Sequence, residues 1–208
     1  MRGAALILAA LLAAGPAAAG IVSARYLEPT TRYAHGVLGD AIEYGALEME
    51  MTDGRRVTLT LPESSVFEDI APRLADVDGD GAPEVITVES SLTRGARLAV
   101  YGVDGLIAAT PHIGRSNRWL APLGAADLDG DGKIELAYID RPHLAKILRI
   151  WRFDDGALVP LAERGGLTNH RIGEDFISGG IRDCGTGPEI VSADADWRRV
   201  MITTYRGG

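Results

Sequence analysis

Ala75-Asp76-Val77-Asp78-Gly79-Asp80-Gly81-Ala82-Pro83-Glu84-Val85 decides how this chain is read, because it returns as Ala126-Asp127-Leu128-Asp129-Gly130-Asp131-Gly132-Lys133-Ile134-Glu135-Leu136. Each copy sets Asp at positions 1, 3 and 5, Gly at 6 and Glu at 9, then runs straight into an apolar, β-forming stretch. A decayed third copy, Gly180-Ile181-Arg182-Asp183-Cys184-Gly185-Thr186-Gly187-Pro188-Glu189-Ile190, keeps the middle Asp, the Pro-Glu pair and the apolar sequel. A fainter fourth runs from His35 to Glu43. Self-similarity at a fixed period is the mark of a repeat architecture.

The segments between the acidic turns read as strands. Val85–Glu89, Arg97–Tyr101 and Leu106–Ala109 follow the first turn. Leu136–Ile139, Ile147–Trp151 and Ala157–Val159 follow the second. Asp104-Gly105 and Asp155-Gly156 supply hairpin turns between them,. No amphipathic helix of useful length appears. Glu43, Glu84, Glu135 and Glu189 recur at the spacing of a four-stranded propeller blade,. The expected fold class is therefore all-β: a small β-propeller of four blades, each of four antiparallel strands. The last repeat lacks an outer strand, and Ile21–Tyr26 is expected to supply it and close the ring.

The chemistry sits in the two intact turns. Four carboxylates within nine residues repel one another unless a cation lies among them. Ca²⁺ takes six to eight oxygen ligands, whereas Mg²⁺ prefers fewer protein ligands. The expected metal set is Asp76, Asp78, Asp80 and Glu84 in one turn and Asp127, Asp129, Asp131 and Glu135 in the other, holding two Ca²⁺ ions. Carbonyls of Ala82 and Lys133 would serve at position 7. Position 12 is Thr87 or Tyr138, inside an expected strand, which excludes an EF-hand loop,.

This Asp-x-Asp-x-Asp-Gly-x-x-Glu pattern, running into a strand at blade spacing, resembles the calcium loops of FG-GAP/VCBS repeats. These are known from integrin α-chain propellers and from bacterial exported proteins. The resemblance covers two repeats strongly and two weakly. It implies Ca²⁺ held by the Asp residues and the position-9 acid, in the turn between the first two strands of a blade. Glu stands here where the family more often has Asp.

Residues 1–19 read as a secretory signal: Arg2, an apolar run from Ala4 to Ala14, a Gly15-Pro16 break and Ala17-Ala18-Ala19 before cleavage,. The mature domain is then 20–208, periplasmic or secreted, without stable membrane insertion. Cys184 is the only cysteine, so no internal disulfide is available, and it is expected as a small buried residue,. Setting aside the eight carboxylates of the two turns leaves 21 acids against 21 Lys and Arg. The acidic balance therefore belongs to the turns, and nothing points to nucleic acid.

The densest polar cluster elsewhere is Thr168–Asp175. With Arg118 and His35 it is expected at the end opposite the acidic turns, so the candidate ligand-binding residues are His35, Arg118, His170, Arg171 and Glu174. Trp119, Trp151 and Trp197 are read as packing residues rather than a sugar platform. The expected function is binding or scaffolding of a protein or glycan partner. The alternative is a hydrolase or lyase built around His170, Arg171 and Glu174. No nucleophile-elbow or zinc-protease motif supports that alternative,.

Overall fold

The computed structural model describes residues 20–207. The expected signal segment at 1–19 lies outside the described residues. What is described consists of strands and turns, all strand pairs antiparallel. The first group is β1 (Ile21–Thr30), β2 (Glu43–Met51) and β3 (Arg56–Thr60). Next come β4 (Ser65–Phe67), β5 (Arg73–Ala75), β6 (Glu84–Ser91), β7 (Gly95–Gly102) and β8 (Gly105–Ala109). A third group is β9 (Leu120–Ala126), β10 (Glu135–Asp140), β11 (Ile147–Asp154) and β12 (Ala157–Gly165). The last is β13 (Leu167–Thr168), β14 (Gly180–Asp183), β15 (Pro188–Asp194) and β16 (Val200–Thr203).

The middle two groups follow the repeat directly. Each acidic turn joins the first strand of its unit to the second, with Ala75 opposite Glu84 and Ala126 opposite Glu135. β6 and β10 are buried along their whole length, as expected for strands covered on both faces,. In the second and fourth units the first strand is broken. β4 and β5 both pair with β6, and β13 and β14 both pair with β15, leaving Glu68–Pro72 and Asn169–Gly179 as insertions.

The expected closure does not form. Ile21–Tyr26 belongs to β1, which pairs with β2 from Ile21–Met51 to Thr30–Glu43 and not with the C-terminal sheet. The first unit thus has three strands, and the last fills three strand positions, with β15 carrying the broken strand β13 and β14 on one side and β16 on the other. The first two units are also joined into one eight-stranded sheet through β4, which bridges β2 and β6. Packing explains the preference. Paired with β2, the N-terminal strand buries Ile21 against Leu47, Met49, Met51, Val85 and Tyr101, whereas β16 keeps Val200 largely exposed,.

The faint repeat at His35–Glu43 is also displaced. Gly20, at the start of β1, lies beside Ala82 of the first acidic turn, where a Cβ would stand 3.5 Å from that of Ala82. His35 lies instead against Glu68. β1 therefore starts at the acidic end, as β6 and β10 do, and the 31–42 loop lies at the other end. The first unit is in phase at Ile21 rather than at Glu43.

The core fills the spaces between successive units. Leu47, Met49, Phe67, Val85 and Tyr101 lie between the first and second. Val88, Leu98, Trp119, Leu136 and Tyr138 lie between the second and third. Ala137, Ile139, Leu148, Leu167 and Ile190 lie between the third and fourth. The first and last units meet through their loops, where Gly173 N–H donates to Val37 O at 3.0 Å. Gly39 sits so close to Gly173 that a side chain there would strike its carbonyl oxygen. Cys184 is exposed, not buried, because it lies at the tip of the decayed turn.

Candidate functional site

The two acidic turns are built from their own backbone outward. Gly79 and Gly81, and likewise Gly130 and Gly132, adopt left-handed φ values of 80° to 91°, which turn successive N–H groups inward,. Asp76 accepts from Gly79 N–H at 2.8 Å and Gly81 N–H at 3.0 Å. Asp127 does the same with Gly130 at 2.7 Å and Gly132 at 2.9 Å. The position-9 glutamate closes each turn. Glu84 Oε2 accepts from Val77 N–H, and Glu135 Oε2 from Leu128 N–H, both at 2.9 Å. The longer glutamate thus reaches back over the turn.

Asp76, Asp78 and Glu84 converge, each offering a carboxylate oxygen within 4.8 Å of the others, and so do Asp127, Asp129 and Glu135. The fourth acid of each turn stands outside this convergence. Asp80 accepts from Ala82 N–H at 2.7 Å, and Asp131 from Lys133 N–H at 2.9 Å. Burial pushes the Glu84 carboxyl up, and the Asp78, Asp80 and Asp76 carboxylates add to that effect. Asp129 Oδ1 is buried with no hydrogen-bond partner among the described residues. Such an orphan oxygen inside an all-carboxylate set fits a hard divalent cation. Asp76, Asp78 and Glu84, or Asp127, Asp129 and Glu135, would hold it, and its charge would neutralise the turn. In the decayed turn, Asp183 accepts from Gly185 and Gly187 N–H.

At the other end of the strands, a pocket of about 400 Å³ is lined by His35, Val37, Asn117, Arg118, Trp119, Arg141, His143, Leu144 and Ile172. Of the five expected ligand residues, His35 and Arg118 reach it. His35 Nδ1 meets Glu68 Oε1 at 2.5 Å. Glu68 also accepts from the Ser90 hydroxyl, and its carbonyl oxygen accepts from Trp119 Nε1 at 2.8 Å. Burial pushes Glu68 up. Beside it, burial pushes Glu43 up to about 9, with Glu68, Asp40 and Asp69 adding to the effect. Arg118 spends one donor on Asn117 O at 2.7 Å and meets no carboxylate among the described residues.

His170 lies behind the pocket, almost wholly buried. Its Nε2 meets Glu174 O and its Nδ1 meets His143 Nε2, both at 2.9 Å. A carbonyl only accepts, so His170 carries its proton on Nε2 and its Nδ1 accepts from His143. His143 therefore presents Nδ1 as an acceptor. Burial lowers both imidazoles, His143 to about 4 with the neighbouring His170 and His35 contributing, so both are neutral at pH 7. Arg171 and Glu174 pair with each other at 3.2 Å, and the Arg171 guanidinium stacks 4.0 Å over Trp197, away from the pocket,.

His143, Arg141 and Leu144 were not singled out from the sequence. They sit in the turn after β10, where the corresponding turn of the second unit has Leu92–Arg94, and no residue type marks the place. The sequence does carry one signal for the far end: an acid five residues after the position-9 glutamate of each acidic turn. Glu89 follows Glu84, Asp140 follows Glu135 and Asp194 follows Glu189. Each secures the far hairpin. Glu89 accepts from Arg97 and Tyr101, Asp140 from Arg141 and Arg149, and Asp194 from the Arg198 and Arg199 amides.

Comparison with known proteins places an FG-GAP-like repeat at residues 68–138. The matched span begins at the insertion behind the pocket and contains both acidic turns. The first and fourth units lie outside it. No curated protein and no solved structure matches the chain.

Proposed function

We propose that this protein is an exported, calcium-stapled module of the propeller type that binds a segment of another protein. The two acidic turns would hold Ca²⁺ and brace one end of the strands, while the pocket at the other end receives the partner. The observation that carries this reading is the lip of that pocket. Leu144 and Ile172 stand 64% and 71% exposed beside the carboxylate-free Arg118. Exposed apolar side chains around a cation suit an extended peptide with apolar and acidic side chains. A glycan is less well served, because the one indole lining the pocket, Trp119, is buried and offers no face for a sugar,.

The hydrolase or lyase alternative has less support. Both His170 nitrogens are engaged, and the Glu174 carboxylate is held by Arg171 and its amide. Selection of a displayed random-peptide library on the calcium-loaded protein tests the proposal. Enriched peptides should share an acidic–apolar consensus and lose at least about tenfold in affinity to Arg118→Glu or Leu144→Glu. Enrichment that is indifferent to both substitutions would assign the binding to another surface.

A further inference from the structure

The two acidic turns match in sequence but not in their electrostatic surroundings. In the second turn, Arg152 of β11 lies across the carboxylates. Its guanidinium meets Asp129 Oδ2 at 3.0 Å, Asp131 Oδ2 at 2.9 Å and Glu135 Oε1 at 2.6 Å. Among the described residues the first turn has no such partner. Among the described residues the carboxylates of Asp76, Asp78, Asp80 and Glu84 accept from backbone amides of their own turn. The cross-strand pairs explain the difference. Tyr101 faces Val85 as Trp151 faces Leu136, so Gly102 holds in the second unit the place that Arg152 holds in the third. A Cβ at Gly102 would stand 2.9 Å from Ile107 Cδ1, so a side chain there would have to push aside the end of that side chain.

From this we infer that the turns are unequal cation sites: Asp76–Glu84 is the high-affinity calcium site, and Arg152 is a built-in counter-ion that holds Asp127–Glu135 in reserve. The inference rests on the calcium reading above. Arg152 already engages three of the four acids in its turn, so an incoming ion must displace or share the guanidinium, and affinity follows the charge the ligands present. The arrangement also keeps the second turn folded without metal. One oxygen, Asp129 Oδ1, remains unpartnered inside the Asp127–Asp129–Glu135 convergence, with its side chain 8% exposed. It marks where a cation would add a contact that the guanidinium does not make. The first turn, with no such cation among the described residues, has only its own backbone amides to offset its carboxylates until metal binds.

Calcium titration of the ¹⁵N-labelled protein, read at the Gly81 and Gly132 amides, separates the two sites. Each of these amides donates to the first Asp of its own turn. The Gly81 amide should shift at a calcium concentration at least about tenfold below that for Gly132. Arg152→Gln should bring the Gly132 midpoint down to that of Gly81 and leave Gly81 unmoved. Arg152→Lys keeps the charge without the fork, and it should fall between the two; it also serves if the glutamine variant does not fold in chelator. Equal midpoints in the unaltered protein, or a Gly132 midpoint unmoved by both substitutions, would overturn the inference. Silence of both glycines at ten millimolar calcium would instead remove the calcium reading itself.

Discussion

At the scale of single residues, the chain keeps several carboxyls in places where ionisation is costly. Glu43 is nearly buried and faces Glu68, Asp40 and Asp69, which moves it from 4.5 up to about 9. In the unfolded chain it ionises near its ordinary value, so between these two values the folded state holds a proton that the unfolded state has lost. The stability this proton confers is complete below pH 4.5 and is lost as pH rises toward 9. Glu43→Gln keeps the shape and removes the titration. We expect its melting temperature to exceed that of the unaltered protein by roughly 3 °C or more at pH 8. The difference should vanish at pH 4, as scanning calorimetry at the two pH values would show.

Among elements, the junction between β7 and the segment before β9 positions the pocket. Gly95 opens β7 with φ of 73°, and a Cβ there would stand 2.2 Å from Arg115 O and 2.9 Å from Arg118 O. Ala96 N–H donates to Arg118 O at 2.8 Å across the same junction. Gly95→Ala must therefore displace backbone rather than a side chain. It should cost about 2 kcal/mol or more in urea unfolding, with a chemical-shift change at Asn117 and Arg118. The strands and hairpins of the middle units were legible because their Asp-Gly turns and β-branched runs are local signals. The broken first strands were not. Glu68–Pro72 and Asn169–Gly179 leave the ladder as side chains take over its bonds, the Asp69 carboxylate accepting from Val88 N–H of β6 and the Asn169 amide donating to the Ala121 carbonyl.

For the whole molecule, stability is shared among three interfaces between units, and both acidic turns lie at one end of that stack. A ligand that binds only the folded state stabilises it by about 2.7 kcal/mol at a hundredfold excess over its dissociation constant. Chelation should then lower the melting temperature by roughly 5 to 10 °C in a domain of this size. Asp78→Asn should reproduce most of that loss even with calcium present. Identical melting curves with and without chelator would contradict this. The first and last units touch through the Val37–Gly173 contact rather than through a shared strand, so the N-terminal strand contributes its packing to the first interface.

The all-β class, the two acidic turns with their glycines and the hairpins around them can all be read from the amino-acid order. Each of these is written in a few adjacent residues and obeys local sterics and charge repulsion. The same order also placed His35 and Arg118 at the end away from the turns. The partner of the N-terminal strand emerges only on folding, because that choice compares buried area on two distant sheets. Folding alone set the phase of the first unit and brought His143 against His170 from separate turns. It alone laid Arg152 across one acidic turn while Gly102 left the other open. Such differences arise from which strands face each other, and two near-identical motifs carry no trace of them.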